Sequence, residues 1–158
     1  MDDLQRPTLT LEQLRAQVGA APTHSLWHMI AQDQISDFAR ITSDHAFIHT
    51  DPERAARTRF GGTIAHGLLT LSLLPVMMHE ATPEVAGTRM GVNYGFDRIR
   101  FVAPVPVGAR VRGAFSLAEL EEREPGFYIF SYDVTVEIKG AGRPALTARW
   151  LLGRWIRG

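Results

Sequence analysis

The sequence contains no cysteine among its 158 residues, and only one of its seventeen basic residues is a lysine. The absence of cysteine excludes disulfide bonds, thiolate metal sites and a cysteine nucleophile. An excess of charge of one sign is also missing, because seventeen acidic residues balance the seventeen basic ones. This balance removes the electrostatic argument for a general nucleic-acid or membrane-surface binder. We therefore expect a small molecule or another protein as the partner.

Long apolar runs are absent too. No stretch reaches the roughly 20 apolar residues of a transmembrane helix. The N-terminus is acidic and polar, whereas a secretory signal is basic and then apolar, so we expect a cytoplasmic protein. The length and the 45% hydrophobic content fit one domain, residues 1–158, in which residues 1–24 form a peripheral helix and lead-in.

The first third of the chain predicts short elements separated by caps and turns. Thr10, with Gln13 three residues later, is typical of a capped helix start, and Gly19 is expected to end that helix. The pattern next predicts a strand at residues 25–31, a helix capped by Asp33, and a short helix from Pro52 to about Thr58. Residues 43–51 are then expected to form a loop between two helices.

The stretch from Ile64 to about Glu80 is apolar on nearly every face, which is typical of a helix buried along its length. It is too short to span a membrane. Pro75 is expected to kink this helix, because proline removes one backbone donor.

The second half of the chain shows the period-two alternation of strands. Four strands are predicted, at Arg89–Phe101, Ala109–Glu121, Phe127–Ile138 and Ala145–Ile156. Proline- and glycine-rich turns separate them, which favours an antiparallel meander. One buried helix with four or five long strands indicates an α+β domain whose sheet curls around the helix.

The candidate reaction site lies between residues 43 and 74. Asp44 and His49 are five residues apart, about 140° around an ideal helix, so only a non-helical loop would direct both to one target. A carboxylate and an imidazole that converge on one water could activate it as a nucleophile. The spacing equally permits Asp44 to cap a turn and His49 to be its hydrogen-bonded neighbour.

His66 and Gly67 open the apolar helix. Glycine lets a ligand approach the backbone, where first-turn N–H groups remain unpaired and could hold an oxygen that gains negative charge. Alternatively, Gly67 permits tight helix packing and His66 caps a neighbour. Three polar residues lie on a strand beside this region, and solvated or packing roles are favoured for them: Asn93, Tyr94 and Arg100.

Two other kinds of site fit the sequence poorly. His45 and His49 are four residues apart, but the zincin pattern requires a helix with a glutamate directly after the first histidine, where this chain has Ala46. No serine near this region lies in a Gly-x-Ser-x-Gly turn; those considered are Ser36, Ser43 and Ser72. We therefore predict neither a metal site nor a serine hydrolase.

The ordered motifs resemble those of the MaoC-like dehydratases, or hydratase-2 proteins, which include R-specific enoyl-CoA hydratases. That family's fingerprint is an aromatic residue, Ser/Thr-Gly-Asp-x-Asn-Pro-(Ile/Leu)-His, a short helix with alanine, and a later His-Gly. The matching segments are Phe38, Thr42 to His49, Asp51 to Ala55, and Ile64 to Gly67. Residues 93–108 also look like the family's next strand and turn, so the resemblance extends from about residue 30 to the end.

The resemblance implies a single hot-dog domain of the α+β class, in which an antiparallel sheet wraps a long central helix. It implies a homodimer whose sheets join edge to edge, with an acyl-CoA or acyl-carrier-protein thioester bound near the interface and no cofactor. The family's catalytic aspartate and histidine fall on Asp44 and His49, and its oxyanion donor falls on the backbone N–H of Gly67. The implied reaction is the addition of water to trans-2-enoyl-CoA, which gives an R-3-hydroxyacyl thioester.

The chain departs from the fingerprint at three positions. Ser43 replaces the glycine before the aspartate, and Ala46-Phe47 replaces Asn-Pro, which removes a polar group beside the acid and base. In this respect the chain looks more like the nodulation-protein-N-like branch, and Phe47 could narrow or line the acyl pocket. Two alternative functions follow: a hot-dog acyl-CoA thioesterase, and a non-catalytic acyl-thioester-binding subunit of a larger dehydratase.

Overall fold

The computed structural model describes residues 6–157. Along the chain the elements are β1 (Thr8–Leu9), α1 (Leu11–Arg15), β2 (Thr23–His24), β3 (His28–Met29), α2 (Gln32–Thr42), α3 (Phe47–Thr50), α4 (Pro52–Ala56), α5 (Gly67–Ser72), α6 (Leu74–Ala81), β4 (Glu84–Val85), β5 (Thr88–Phe101), β6 (Arg110–Glu124), β7 (Phe127–Ile138) and β8 (Leu146–Ile156). None of these helices has the length and apolar character needed to cross a membrane.

The main sheet has six strands, four long and two short, in the order β2-β6-β7-β8-β5, with the short β3 also paired to β6. Strands β6, β7 and β8 form the predicted antiparallel meander. The meander prediction is wrong for β5, which pairs antiparallel with β8, for example Phe101 opposite Leu146. Residues 102–109 carry the chain across the end of the sheet, so β5 is left as an edge strand.

The predicted strand boundaries agree closely with the structure. β7 occupies the predicted residues, and the ends of the other three differ from the prediction by at most three residues. The alternation in β7 reflects one buried face: Phe130, Val134 and Val136 are at most 2% exposed. Their aromatic and β-branched side chains also favour the extended backbone.

The predicted apolar helix is broken into α5 and α6. Pro75 lies in the first turn of α6, where its missing N–H has no intrahelical partner to lose. The prediction of burial along the whole length is wrong. Leu74 and Met77 are fully buried against the sheet, but Leu68 is 57% exposed. Ile64 lies before the helix, in an isolated bridge with Pro106.

The core lies between this helix pair and the sheet. It joins buried side chains of α6 to those of β6, β7 and β8, and its largest members include Trp150, Phe115, Phe130, Leu74 and Met77. Burial of such side chains is the main favourable term in folding. The α+β prediction, an antiparallel sheet packed on a central helical layer, is confirmed.

The N-terminal predictions are partly correct. Thr10 caps α1 with a reciprocal pair of bonds: its Oγ1 accepts from the Gln13 N–H at 3.2 Å, and Gln13 Oε1 accepts from the Thr10 N–H at 2.9 Å. The helix itself ends at Arg15, four residues before Gly19. Of the predicted strand at residues 25–31 only β3 is a strand; β2 lies just before these residues, and both pair with β6.

The prediction that Asp33 caps the second helix is wrong. α2 begins one residue earlier, at Gln32, so Asp33 lies in its first turn. Gln34 provides the contact with the helix start, because its Oε1 accepts from the Ala31 N–H at 3.0 Å. A carboxylate in the first turn still favours the helix through its dipole.

Ser43 ends α2 in the left-handed backbone conformation, with φ of 60° and ψ of 19°. Glycine adopts this conformation without the steric cost of about 1–2 kcal/mol that a Cβ brings. Ser43→Gly should therefore raise the free energy of unfolding by about 0.5–1 kcal/mol after its own chain-entropy cost is subtracted. Thermal unfolding measures this change, and Ser43→Ala, which keeps the Cβ, is the control. A lower melting temperature for Ser43→Gly than for Ser43→Ala would contradict it.

Candidate active site

Asp44 and His49 are brought together by one short helix. The structure corrects the expected loop at residues 43–51, because residues 47–50 form the single turn α3. Asp44 lies before this turn and His49 within it, so the two side chains escape the 140° separation of a continuous helix. The required convergence is achieved by a break in the helix after Thr42 rather than by a long loop.

His49 is 8% exposed, and its ring has a defined proton arrangement. Nδ1 lies 2.7 Å from the carbonyl oxygen of Ile64. Because a carbonyl only accepts hydrogen bonds, Nδ1 donates this one, and in the neutral imidazole of that tautomer Nε2 carries the lone pair. His49 is therefore set up to accept a proton through Nε2.

His66, which precedes α5, is hydrogen-bonded to the backbone of Asp44. Its Nε2 donates to the backbone carbonyl of Asp44 at 3.0 Å, and its ring stacks on that of His49 with centroids 3.8 Å apart. This contact fixes the Asp44 backbone relative to Gly67, the residue that follows His66. Within residues 6–157, His66 Nδ1 and the buried Thr70 hydroxyl have no hydrogen-bond partner.

The Asp44 side chain is 55% exposed and lies at the rim of the cluster. Its Oδ1 accepts weakly from the Ala46 N–H at 3.4 Å, so the turn-capping interpretation describes part of its role. One carboxylate oxygen of Asp44 and one ring nitrogen each of His49 and His66 lie within 4.8 Å of one another. Two hydrogen bonds of about 2.8 Å span this separation, so one water can contact both Asp44 and His49.

The same three residues are poorly arranged to share a metal ion. The planes of the two imidazoles are only 27° apart, with the rings stacked face to face. A metal lies in the plane of each imidazole that binds it, about 2.0–2.1 Å from the nitrogen. Nearly parallel rings cannot both meet this condition at one point. His45, the other candidate ligand, is exposed and lies outside the cluster.

A cavity of about 350 Å³ opens beside His49 and the start of α5. Its walls are mostly apolar, formed by His49, Ile64, Ala65, Gly67, Leu68, Thr70, residues 101–105 and Ala145. Asp44 does not line it directly. The cavity can therefore receive an apolar chain and present its polar end to His49 and the Gly67 backbone.

Gly67 is the first residue of α5, a position whose N–H has no acceptor within the helix. A Cβ at this position would lie 2.8 Å from Cδ1 of Phe101, which is closer than normal packing allows. Gly67 therefore permits tight packing against Phe101, and its N–H is also available as a hydrogen-bond donor. Both features depend on the same close approach between α5 and the end of β5.

Gln32 and Thr63 hold His49 in place, and no motif in the sequence points to either residue. Gln32 Nε2 donates to the His49 carbonyl at 2.9 Å, and its Oε1 accepts from the Thr63 hydroxyl at 2.5 Å. The next residue, Ile64, donates its N–H to the Ile48 carbonyl at 3.0 Å and accepts from His49 Nδ1. These contacts fix both the backbone and the ring of His49 between α2 and the 63–64 segment.

The departures at Ala46 and Phe47 now have a physical interpretation. Ala46 is the N-cap of α3 and makes no side-chain capping bond, and Phe47 is its first helical residue. Asparagine and proline are favoured at these two positions, so the exchange removes a helix cap. Phe47 lies under the guanidinium of Arg54, 4.4 Å from Cζ to the ring centroid, and does not line the cavity.

The three polar residues predicted to have packing or solvated roles lie away from the cluster. Asn93 accepts a hydrogen bond from the indole N–H of the buried Trp150, which is a packing role. Tyr94 is 57% exposed. Arg100 is exposed and donates to the carbonyl of Ile99, its neighbour in the chain.

Comparison with known proteins gives a consistent result. The model of the MaoC like domain matches residues 13–139. Nodulation protein N of Rhizobium leguminosarum bv. viciae is 48% identical over 144 residues, which cover 90% of this chain and 89% of the relative. The 3-hydroxyacyl-thioester dehydratase Z of Mycobacterium tuberculosis is 43% identical over 139 residues, covering 88% and 91% of the two chains.

A solved structure supports the fold. The (R)-hydratase of Aeromonas caviae involved in PHA biosynthesis superposes with a TM-score of 0.69 at 25% identity, covering 84% of this chain and 94% of that one. The hot-dog fold that the sequence resemblance implied is therefore confirmed. With hydratases and dehydratases among its relatives, the chain belongs to the MaoC-like dehydratase family.

Proposed function

We propose that the chain is an R-specific enoyl-CoA hydratase, equivalently a 3-hydroxyacyl-thioester dehydratase, with Asp44 and His49 as its acid–base pair. One observation carries the proposal. The Nδ1–H bond from His49 to Ile64 leaves Nε2 as a proton acceptor beside a cavity that also contains Gly67. The names of the relatives support the same class of reaction.

In the proposed reaction, a water molecule bridges the Asp44 carboxylate and His49 Nε2. The water oxygen forms a bond to C3 of the trans-2-enoyl thioester while its proton passes to the acid–base pair. The C2–C3 double bond becomes a single bond, and negative charge moves onto the thioester oxygen. The Gly67 N–H stabilises that charge, and a proton returned to C2 completes the hydroxyacyl product. Dehydration follows the same steps in reverse.

The apolar cavity supports a thioester with an acyl chain as the substrate. Ile64, Leu68 and Val105 line it, and few polar groups compete for the chain. The Thr70 hydroxyl is one such group, and because it has no partner within residues 6–157 it can contact a polar atom of the substrate.

The test is the product formed from crotonyl-CoA by the purified chain. We expect R-3-hydroxybutyryl-CoA, identified by chiral chromatography, and no S product. Formation of the S product would contradict the proposed stereochemistry. A racemic product would indicate that water is not held on one face of the substrate.

Gln32 is proposed to position the base without contacting the substrate. Gln32→Leu removes the bond to the His49 carbonyl and should lower kcat about tenfold, because small misplacements of a reacting group are costly. KM should change little, since Gln32 does not line the cavity. Thr63→Val, which removes only the hydroxyl partner of Gln32, should show a smaller loss. An unchanged kcat in Gln32→Leu would contradict the proposal that Gln32 positions His49.

The edge strand β5 supports a homodimer. Among residues 6–157 this 14-residue strand pairs only with β8, and it exposes apolar side chains, including Met90, Val92 and Tyr94. A long apolar edge strand pairs readily with another strand. We propose that two copies join along β5, so light scattering should give twice the 17.6 kDa chain mass. Val92→Lys, which places charge on this edge, should shift the population toward the monomer.

A further inference from the structure

A second cavity, of about 320 Å³, lies between α6 and the strands β5 and β8. It shares no lining residue with the cavity beside His49. One wall is apolar and includes Pro75, Met78, Val92, Trp150 and Leu152. The lining also carries three nitrogen-rich side chains, Arg6, His79 and Arg154. The cavity therefore combines an apolar surface with positive charge.

The two arginines differ in their partners. Arg6 donates to the carbonyls of Thr82 and Pro83 and to His79 Nδ1, and it lies 3.6 Å from a carboxylate oxygen of Glu84. Its hydrogen-bonding capacity and its charge are thus largely satisfied. Arg6 also fixes His79 as an acceptor on Nδ1, because a guanidinium only donates.

Arg154 has no comparable partner. Within residues 6–157, no carboxylate oxygen lies within 4.0 Å of its guanidinium, and no hydrogen bond from it is found. One face of the guanidinium packs on the fully buried Phe130 ring, 5.1 Å from its centroid. Burial lowers the pKa of Arg154 below its ordinary value. A partly buried cation with unpaired donors is unfavourable unless an anion binds it.

We propose that this cavity binds a small amphiphilic carboxylate, with its carboxylate on Arg154 and its alkyl chain against the apolar wall. The planar guanidinium presents parallel donors that match the two oxygens of a carboxylate. Glu84 pairs with Arg6, so within residues 6–157 the charge of Arg154 is left to favour one further anion. The proposal is independent of the proposed hydration, because the site shares no residue with the Asp44–His49 cluster.

Octanoate and 1-octanol are the probes that test this site, with binding followed by calorimetry and by tryptophan fluorescence. Octanoate should bind at least about tenfold more tightly than 1-octanol, because a charge-assisted pair is made only by the carboxylate. Arg154→Gln should abolish this difference. Arg149→Gln is the matched control, since Arg149 lies on the same strand but is paired with Asp133 and lies outside the cavity.

Thermal unfolding provides a second readout. Arg154→Met removes an unpaired cation and should raise the melting temperature by about 2–4 °C. Octanoate should stabilise the wild-type chain but not Arg154→Met, which also shows whether the variant folds. Equal octanoate affinity in wild type and Arg154→Gln, or equal affinity for octanoate and octanol, would overturn the proposal.

Discussion

Asp44→Asn and His49→Gln should each lower kcat/KM for crotonyl-CoA hydration by at least about 100-fold, as expected when a general acid–base group is lost. Asparagine keeps the shape of the carboxylate but cannot take up a proton. Glutamine can still donate toward the Ile64 carbonyl but offers no titratable nitrogen. Loss of enoyl-thioester absorbance measures the rate in each variant.

The double variant gives a sharper result. Because Asp44 and His49 act on one water in the proposed mechanism, removing both should cost little more than removing either one. His45→Gln is the matched control, since this histidine is adjacent in sequence but exposed and outside the cluster. Full activity in Asp44→Asn or in His49→Gln would refute the assignment. If the double variant instead loses activity by the product of the two single-variant factors, the two groups act on separate steps.

Gly67→Pro should lower kcat about 100- to 1,000-fold relative to Gly67→Ala, the range observed when one oxyanion donor is removed. Proline deletes the backbone N–H but suits the first position of a helix. His66, with φ of −60° and ψ of 137°, already has the backbone conformation required before proline. The substitution therefore removes the donor with little strain in the backbone.

Gly67→Ala controls for the volume added at this position. Both variants introduce a Cβ next to the Phe101 ring, which is 52% exposed and free to shift. Only the proline variant loses the N–H, and its Cδ takes the place of that hydrogen, so the ratio of the two rates measures the loss of the donor position. Similar rates for alanine and proline would show that Gly67 serves helix packing alone, the alternative that the sequence left open.

Strands β6, β7 and β8 were predictable because each has one buried face, whereas β5 has no buried residue. β7 is the clearest case: alternate residues from Phe130 to Val136 pack in the core, and the period-two pattern records this directly. The order in which the strands pair was harder to predict from the sequence. Whether β5 joins β6 or β8 depends on how residues 102–109 cross the end of the sheet, and that path is a tertiary property.

The apolar helix shows why burial is harder to predict than helix formation. Its composition suggested a helix buried along its length, but Leu68 lies beside an open cavity and remains exposed. An apolar side chain at a binding site has the same sequence signature as one in the core. Pro75 was correctly identified as the point of interruption, because its effect is local.

The candidate site was predictable only where its residues lie close in the sequence. Asp44, His49 and Gly67 belong to one segment and match the family fingerprint. The residues that position them do not: Gln32 reaches His49 through a contact 17 residues away, and Thr63 reaches Gln32 across 31 residues. The stacking of His66 on His49 likewise depends on how α3 packs against the start of α5.

The most direct test of the central claim is one reaction of the wild-type chain with crotonyl-CoA, with enoyl-thioester absorbance and free thiol followed together. Hydration at the Asp44–His49–Gly67 site predicts that absorbance falls enzymatically while no thiol appears. Release of free CoA at the rate of substrate loss would indicate a thioesterase. Saturable binding of crotonyl-CoA with neither signal would indicate a non-catalytic binding subunit and contradict the account.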